Sequence, residues 1–532
     1  MDEKAASHNA FVRFFIKFWT AIWEIWLEPF LVMVGAYEPP DRTYGRAQIP
    51  FSKMEERLHS NPDVMVSFHK AWMPNGKDWV WYQVWEDKAA QRVTGRVADV
   101  VFFHGTGVHS GTLASHSRRY LDAGFRLIVP DMPSHGYSTG LHVYQRYAIG
   151  YTVGIRAAIH DVARRDDELA GKKIPKQERR TTFFLALSFG GMIAILYPLY
   201  YPACNRTDTT DMDEIPVDGV VGVGPIVDYS RNDVKIGMIV HVTGFLVNVL
   251  CATRLELMVP HKKVVDKDPK VYKQLIESDK RSHNGAFRVG HLFCIRDGVD
   301  DIDRLAKNFT LPVYIQHGLQ DRVVQTKSTL KFLANCSSTD KRFTVYPVCQ
   351  HVVYRKAKSE TEDLAGRVCV LDDNVAWMCE RSPGHGHIDR GISFSSDILE
   401  SDSKPAGGSS APFSRSGSIT PGWDAVTPSE SLPQTPSIAS DTMAMGTDKS
   451  NVVTGTINSL TSQIDSVIES AAVASAVPDA RNELRNRTDK QHIRETKQTA
   501  ARQVGNMAEE CRVYRPDWEL PKETCPFDIT LS

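Results

Sequence analysis

The chain has 532 residues, of which 42% are hydrophobic and 24% charged, with a formal net charge of −1. This is ordinary globular composition, long enough for one large domain with extensions. The absence of a charge bias argues against a nucleic-acid partner and requires any membrane attraction to be local.

Residues 9–36, NAFVRFFIKFWTAIWEIWLEPFLVMVGA, are the most aromatic stretch. Arg13, Lys17, Glu24 and Glu28 interrupt it, so no uncharged run approaches the roughly 20 residues of a spanning helix. At about 100° per residue those four charges share one narrow arc, with Phe, Trp, Ile, Leu, Val and Ala around most of the wheel. Residues 1–37 are therefore expected to form an amphipathic aromatic helix lying in a membrane interface, with Pro29 ending or kinking it. The alternative is a helix packed on the protein's own core. MDEKAASHNA is not basic, which argues against a cleaved signal peptide.

From about Ser60 short strands broken by turns are expected: Val64–His69, Trp79–Trp85, Arg96–Phe103 and Arg126–Pro130. A helix over about Gly150–Glu168 follows, and then the stretch RTTFFLALSFGGMIAIL. Its apolar strand runs into Ala186-Leu187-Ser188-Phe189-Gly190-Gly191 and on into a helical pattern, the arrangement of a nucleophile elbow. Gly219–Val223 and Pro312–Gln316 read as further strands. Strands alternating with helices predict a mostly parallel sheet whose ligands gather at the carboxyl ends of the strands. Between about 228 and 309 the chain is helical in flavour. There the apolar run Gly237–Leu250 is either a cap helix lining a lipid site or a buried core helix.

Residues 383–450 are rich in Ser, Pro, Gly and Thr and are expected to be a disordered linker. Thr420-Pro421, Thr427-Pro428, Thr435-Pro436 and Arg415-x-x-Ser418 resemble kinase targets. Residues 451–510 read as a helical tail in which Val453, Ile457, Leu460, Ile464, Val467 and Ala471 repeat at four-three spacing. Residues 451–475 could thus dock on a partner protein or self-associate; 511–532 form a C-terminal tail. Nine scattered cysteines with no zinc spacing read as free thiols in a reducing compartment. Asn205-Arg206-Thr207 and Asn308-Phe309-Thr310 fit the glycosylation pattern, which keeps a lumenal setting open.

Ser188 needs a base, a group to orient that base, and donors for an oxyanion. In LPVYIQHGLQDRVV a strand ends in a turn carrying Asp321, and in FTVYPVCQHVV another strand precedes His351. The order Ser…Asp…His at three strand ends is that of the α/β-hydrolase fold. His104-Gly105 after the early strand supplies the loop from which that fold takes one oxyanion donor. This nominates the backbone N–H groups of Thr106 and Phe189. His109, His135 and His317 could each pose as the base, but each lies in a glycine-flanked turn and reads better as a loop-holding group.

These residues resemble a known family. His104 to Gly111, HGTGVHSG, is similar to the HGxGxHSG stretch of monoacylglycerol lipases and their lysophospholipase and serine-aminopeptidase-like relatives. Asp131 to Ser138, DMPSHGYS, is similar to that family's D-x-x-G-H-G-x-S, with Pro133-Ser134 where a glycine usually stands. His317-Gly318-Leu319-Gln320-Asp321 and Gln350-His351 sit where the family carries its acid and base. Ala186 departs from the usual first glycine of G-x-S-x-G.

The resemblance implies an α/β-hydrolase domain over 60–382 with a helical cap at about 228–309. It assigns Ser188 as nucleophile, His351 as base, Asp321 as orienter and the Thr106 and Phe189 amides as the oxyanion hole, with no metal or cofactor. The expected function is cleavage of lipid carboxylic esters, monoacylglycerol or lysophospholipid, by a membrane-associated enzyme. The setting would be the cytoplasmic face of a membrane such as the endoplasmic reticulum, or a lipid droplet. The alternatives are a peptidase or general carboxylesterase using the same site, or a non-catalytic scaffold presenting its tail.

Overall fold

The structure is a computed structural model and describes residues 12, 14–20, 22–228, 255–256, 258, 279–283, 287–324, 326–354, 357, 359–384, 511–513 and 527–530. The run Gly237–Leu250, the linker beyond residue 384 and the four-three repeat from Val453 lie outside the described residues.

β1 (Met65–Trp72) and β2 (Trp79–Glu86) form an antiparallel hairpin, and β2 runs antiparallel to β4 (Arg126–Pro130). β3 (Ala98–Phe103), β4, β5 (Thr181–Leu187), β6 (Gly219–Val223), β7 (Val313–Gly318) and β8 (Lys341–Tyr346) pair parallel with one another. The strand order β1-β2-β4-β3-β5-β6-β7-β8 makes a mostly parallel sheet of the expected α/β-hydrolase class. The chain's C-terminal part extends its edge. β10 (Phe527–Thr530) pairs antiparallel with β8, and β9 (Cys511–Val513) pairs parallel with β10.

Helices α1 (Glu28–Met33) and α2 (Lys53–His59) precede the sheet. α3 (Ser117–Asp122), α4 (Ala148–Ala170), α5 (Phe189–Tyr200), α6 (Val289–Leu305), α7 (Thr326–Asn335) and α8 (Cys369–Arg381) connect or follow its strands. Every residue of β3 is buried, as a strand covered on both faces requires. Its period of two divides the core. Val101 and Phe103 pack with Tyr151, Ile155, Ile193, Leu196 and Val299 on one side, while Val100 and Phe102 pack with Tyr120, Leu121, Leu371 and Trp377 on the other. These opposed layers hold the carboxyl ends of β3, β5, β6, β7 and β8 at one rim of the sheet.

Two N-terminal features bear on function. The aromatic helix does not end at Pro29: a π turn over Trp23–Leu27 precedes α1, whose second residue is the proline, and the helix runs on to Met33. A wider turn accommodates a residue that cannot donate to the preceding carbonyls. Its aromatic side is open, with Phe14 66%, Ile16 59% and Trp19 53% exposed. No helix among the described residues is long and apolar enough to cross a membrane.

The following segment straps onto the loop after β4. The buried Arg46 guanidinium donates from Nε to the Gly136 carbonyl (2.8 Å) and from Nη2 to those of Ser138 (2.7 Å) and Gly140 (2.9 Å). The Tyr137 hydroxyl donates back to the Ile49 carbonyl at 2.6 Å. α2 is set by a capping box, in which Ser52 Oγ accepts from the Glu55 amide and Glu55 Oε2 accepts from Ser52 N.

Candidate active site

Ser188 stands between β5 and α5 with φ 53° and ψ −116°, a backbone that L-residues adopt only when their surroundings impose it. The restraints are visible. Its N–H donates to the Val223 carbonyl at 3.0 Å, and its own carbonyl accepts from Gly191 (2.9 Å) and Ile226 (3.1 Å). Gly190 has no room for a side chain, since a Cβ there would lie 2.3 Å from the Phe103 carbonyl oxygen and 2.5 Å from that of His104. Ala186, by contrast, is buried opposite Gly222 of β6, so the strand position beside its methyl group is occupied by a residue with none.

The turn after β7 and the loop after β8 bring the other two residues to this point. His351 Nε2 lies 2.8 Å from Ser188 Oγ, and His351 Nδ1 lies 2.8 Å from Asp321 Oδ2. Asp321 is tightly held: Oδ1 accepts the amides of Val323 (2.7 Å) and Val324 (3.0 Å). Burial alone would raise the Asp321 carboxyl, but His351 and His317 outweigh it and hold it well below the usual carboxylate range. An ionised Asp321 accepts, so His351 Nδ1 carries the proton and Nε2 is the acceptor facing the serine hydroxyl.

Thr106 and Phe189 flank the same serine. The loop after β3 passes so close that a Cβ on Gly105 would lie 3.7 Å from the Ser188 Cβ. Among the described residues neither the Thr106 nor the Phe189 amide is engaged by a backbone carbonyl. The Phe189 amide also opens α5, where unpaired N–H groups and the helix dipole favour negative charge.

The remaining histidines have partners that occupy them elsewhere. His317 Nε2 lies 3.1 Å from the Val324 carbonyl and 3.3 Å from Asp321 Oδ2, so it is a donor to both and buttresses the turn rather than serving as a base. His109 Nδ1 accepts from the Gly111 amide at 3.1 Å and its Nε2 pairs with Asp279. His135 Nδ1 donates to the Pro133 carbonyl at 3.0 Å. His104 Nε2 accepts from the Met132 amide at 2.9 Å, and burial pushes its pKa down to about 4, so it is neutral. Asp131 Oδ1 accepts from both the amide and hydroxyl of Ser110, and Oδ2 from the Tyr137 amide at 2.8 Å, tying the loops after β3 and β4 together. No group of three or more His, Cys, Asp or Glu side chains among the described residues is arranged to hold a metal ion.

Three contributors escaped sequence reasoning. Gly224, at φ +54°, follows β6 under the acid–base pair, where an added Cβ would lie 3.4 Å from Asp321 Oδ2. The signal for it was the glycine directly after an apolar strand. Glu55 of α2 is wholly buried, pairs with Arg281 and fills the space above Gly111, and Ser52-x-x-Glu55 was its legible signature. His291 of α6 contacts both Thr106 and Phe189, and nothing local marks it.

Residues 95–356 match the serine aminopeptidase, S33, family. A monoacylglycerol lipase of Mycolicibacterium smegmatis is 23% identical over 297 residues, covering 56% of this chain and 91% of that protein. A monoglyceride lipase of Saccharomyces cerevisiae is 26% identical over 226 residues, covering 41% of this chain and 65% of that protein. Among solved structures, a soluble variant of the Saccharomyces cerevisiae monoglyceride lipase with a substrate analogue aligns over 63% of this chain and 99% of its own. Its TM-score is 0.44 and its identity 15%.

Proposed function

Starting from a chain that is an α/β-hydrolase of the monoacylglycerol lipase-like family, a hydrolase of carboxylic esters, we propose that it cleaves lipid monoesters through an acyl-enzyme on Ser188. The observation that carries this reading is the hydrogen-bonded row Ser188 Oγ, His351, Asp321, with steps of 2.8 Å each, beside two open amides.

His351 Nε2 takes the hydroxyl proton as Ser188 Oγ attacks the ester carbonyl carbon. The carbonyl oxygen becomes an oxyanion held by the Thr106 and Phe189 amides. Collapse breaks the bond to the alcohol, which leaves with the proton from His351 Nε2 and gives an acyl-Ser188 ester. His351 then deprotonates water, which attacks the acyl carbon, and the proton returns to Ser188 Oγ as the fatty acid departs. Asp321 keeps the Nδ1–H tautomer in place and balances the imidazolium in both halves.

The substrate class, monoacylglycerol or lysophospholipid, rests on the named relatives and on the aromatic N-terminal helix. Its bare Phe14, Ile16 and Trp19, with Lys17 among them, support docking in a lipid interface, from which a single-chain ester would be drawn. We place that surface on a cytoplasmic membrane face or lipid droplet, in keeping with the buried reduced thiols of Cys204, Cys294 and Cys336.

The test is a panel of monoacylglycerols, lysophospholipids, aminoacyl esters and short soluble esters, with the full chain and with residues 1–37 deleted. The reading expects turnover of a lipid monoester that exceeds that of aminoacyl substrates. It also expects that the deletion releases the protein from vesicles while soluble-ester turnover persists. Preference for an aminoacyl substrate would make it a peptidase instead, and vesicle binding that survives the deletion would refute the docking role.

A further inference from the structure

His291 lies two residues into α6, a helix far along the chain from the two loops it meets. Its ring is fully buried. The start of α6 is pinned, because Arg288 donates from Nε to the His142 carbonyl at 2.8 Å and from Nη1 to the Glu256 carbonyl at 2.5 Å. From there His291 Nε2 reaches 3.3 Å from Thr106 Oγ1, Nδ1 reaches 3.3 Å from the Tyr151 hydroxyl, and the ring centre lies 4.7 Å from that of Phe189. Tyr151 closes the group, its ring 5.0 Å from Phe189. One side chain therefore touches both residues whose amides are read as the oxyanion donors.

The direction of the hydrogen bonds follows from burial. Burial, then the nearby His283, pushes the His291 pKa down to about 3, so the ring is neutral and carries one N–H. Tyr151 is wholly buried, and among the described residues the acceptor for its proton is His291 Nδ1. A buried hydroxyl proton with no acceptor is costly. Tyr151 thus donates to Nδ1, and Nε2–H donates to Thr106 Oγ1. The loop after β3 is also held on either side of Thr106, where His104 Nε2 accepts the Met132 amide at 2.9 Å and the Gly107 carbonyl accepts the His283 amide at 2.6 Å. The Thr106 residue itself is steadied by His291.

We propose that His291 is a positioning residue for the oxyanion hole. Through a hydrogen bond to Thr106 and ring contact with Phe189, it aims both amides at the carbonyl adduct on Ser188. The proposal rests on the reading of those amides as the oxyanion donors. It makes α6 part of the catalytic geometry.

The experiment measures hydrolysis of p-nitrophenyl butyrate by the full chain carrying His291→Phe or His291→Gln. Phenylalanine keeps a ring against Phe189 and loses the bond to Thr106. Glutamine loses the ring and keeps an N–H that reaches Thr106 Oγ1. The expected result is a kcat about tenfold to a hundredfold lower for His291→Phe, with KM within about twofold. In His291→Gln, kcat stays within about fivefold of wild type. Wild-type kcat in His291→Phe, or equal losses in both variants, would reduce His291 to a packing residue and overturn the proposal.

If His291→Phe fails to fold, Thr106→Val, which removes the acceptor while keeping the branched shape, must show the same fall in kcat. Wild-type kcat there overturns the proposal equally. Fluorophosphonate labelling of the wild type separates the two levels. Unlabelled Ser188 overturns the site reading and this inference with it, whereas labelled Ser188 with unaffected variants overturns this inference alone.

Discussion

Replacing Asp321 by asparagine changes one atom and should nearly abolish turnover, for a reason fixed by the four donors around the carboxylate. Oδ1 accepts two backbone amides, from Val323 at 2.7 Å and Val324 at 3.0 Å, and these cannot become acceptors. The amide oxygen of Asn must therefore stay there, which turns its NH2 toward His351 Nδ1. That nitrogen then has to accept, and the imidazole proton moves to Nε2, 2.8 Å from Ser188 Oγ. A base already protonated on the side facing the nucleophile cannot take its proton. The measured cost of the same tautomer reversal in a serine protease triad is about 10⁴-fold in kcat, or about 5 kcal/mol of activation free energy. Steady-state hydrolysis of p-nitrophenyl butyrate by Asp321→Asn should show a loss of that order, with KM little changed. A kcat within about tenfold of wild type in a folded variant would refute the argument.

Other consequences follow from contacts at the edge of the site. Gly190→Ala would drive a methyl against two carbonyl oxygens at 2.3 and 2.5 Å, so the elbow or the loop after β3 must shift. The expected cost is about 3 kcal/mol in chemical denaturation, accompanied by loss of activity, and a cost below about 1 kcal/mol would contradict the packing. Asp279 is half-buried; burial raises its pKa, but the hydrogen bond from His109, with the Arg281 charge nearby, outweighs it, taking it from 3.8 to about 2. A depressed carboxyl stabilises the fold above its unfolded pKa and loses that contribution as pH falls through the folded value. Asp279→Asn should therefore be less stable than wild type by about 2 kcal/mol at pH 5, with the gap closing between about pH 4 and pH 2. A gap independent of pH would show that the pair does not carry it.

The parts of this molecule that were legible in its sequence share a cause. β4 and β6 are short apolar runs buried on both faces, and their spans Arg126–Pro130 and Gly219–Val223 are set by the turn residues around them. Ser188, Asp321 and His351 each follow such a run, so the topology alone delivers them to one rim of the sheet. What stayed hidden depends on distance along the chain. Glu55 meets Arg281 across 226 residues, and His291 meets Thr106 across 185, and no local pattern announces either meeting. α2 was readable from Ser52-x-x-Glu55, yet it lies before the strands and carries little apolar periodicity. The alternation in Phe527-Asp528-Ile529-Thr530 fits β10, but four residues are too few to stand out from a polar tail.

The most direct test of the account is covalent trapping at Ser188. The full chain is incubated with a fluorophosphonate, digested, and read by mass spectrometry for the modified residue. The account predicts a single phosphonyl adduct on Ser188. Ser188→Ala should abolish it and lower ester turnover by about a million-fold, as removal of a triad nucleophile does elsewhere. An adduct on another residue, or ester hydrolysis that persists in Ser188→Ala, would contradict it.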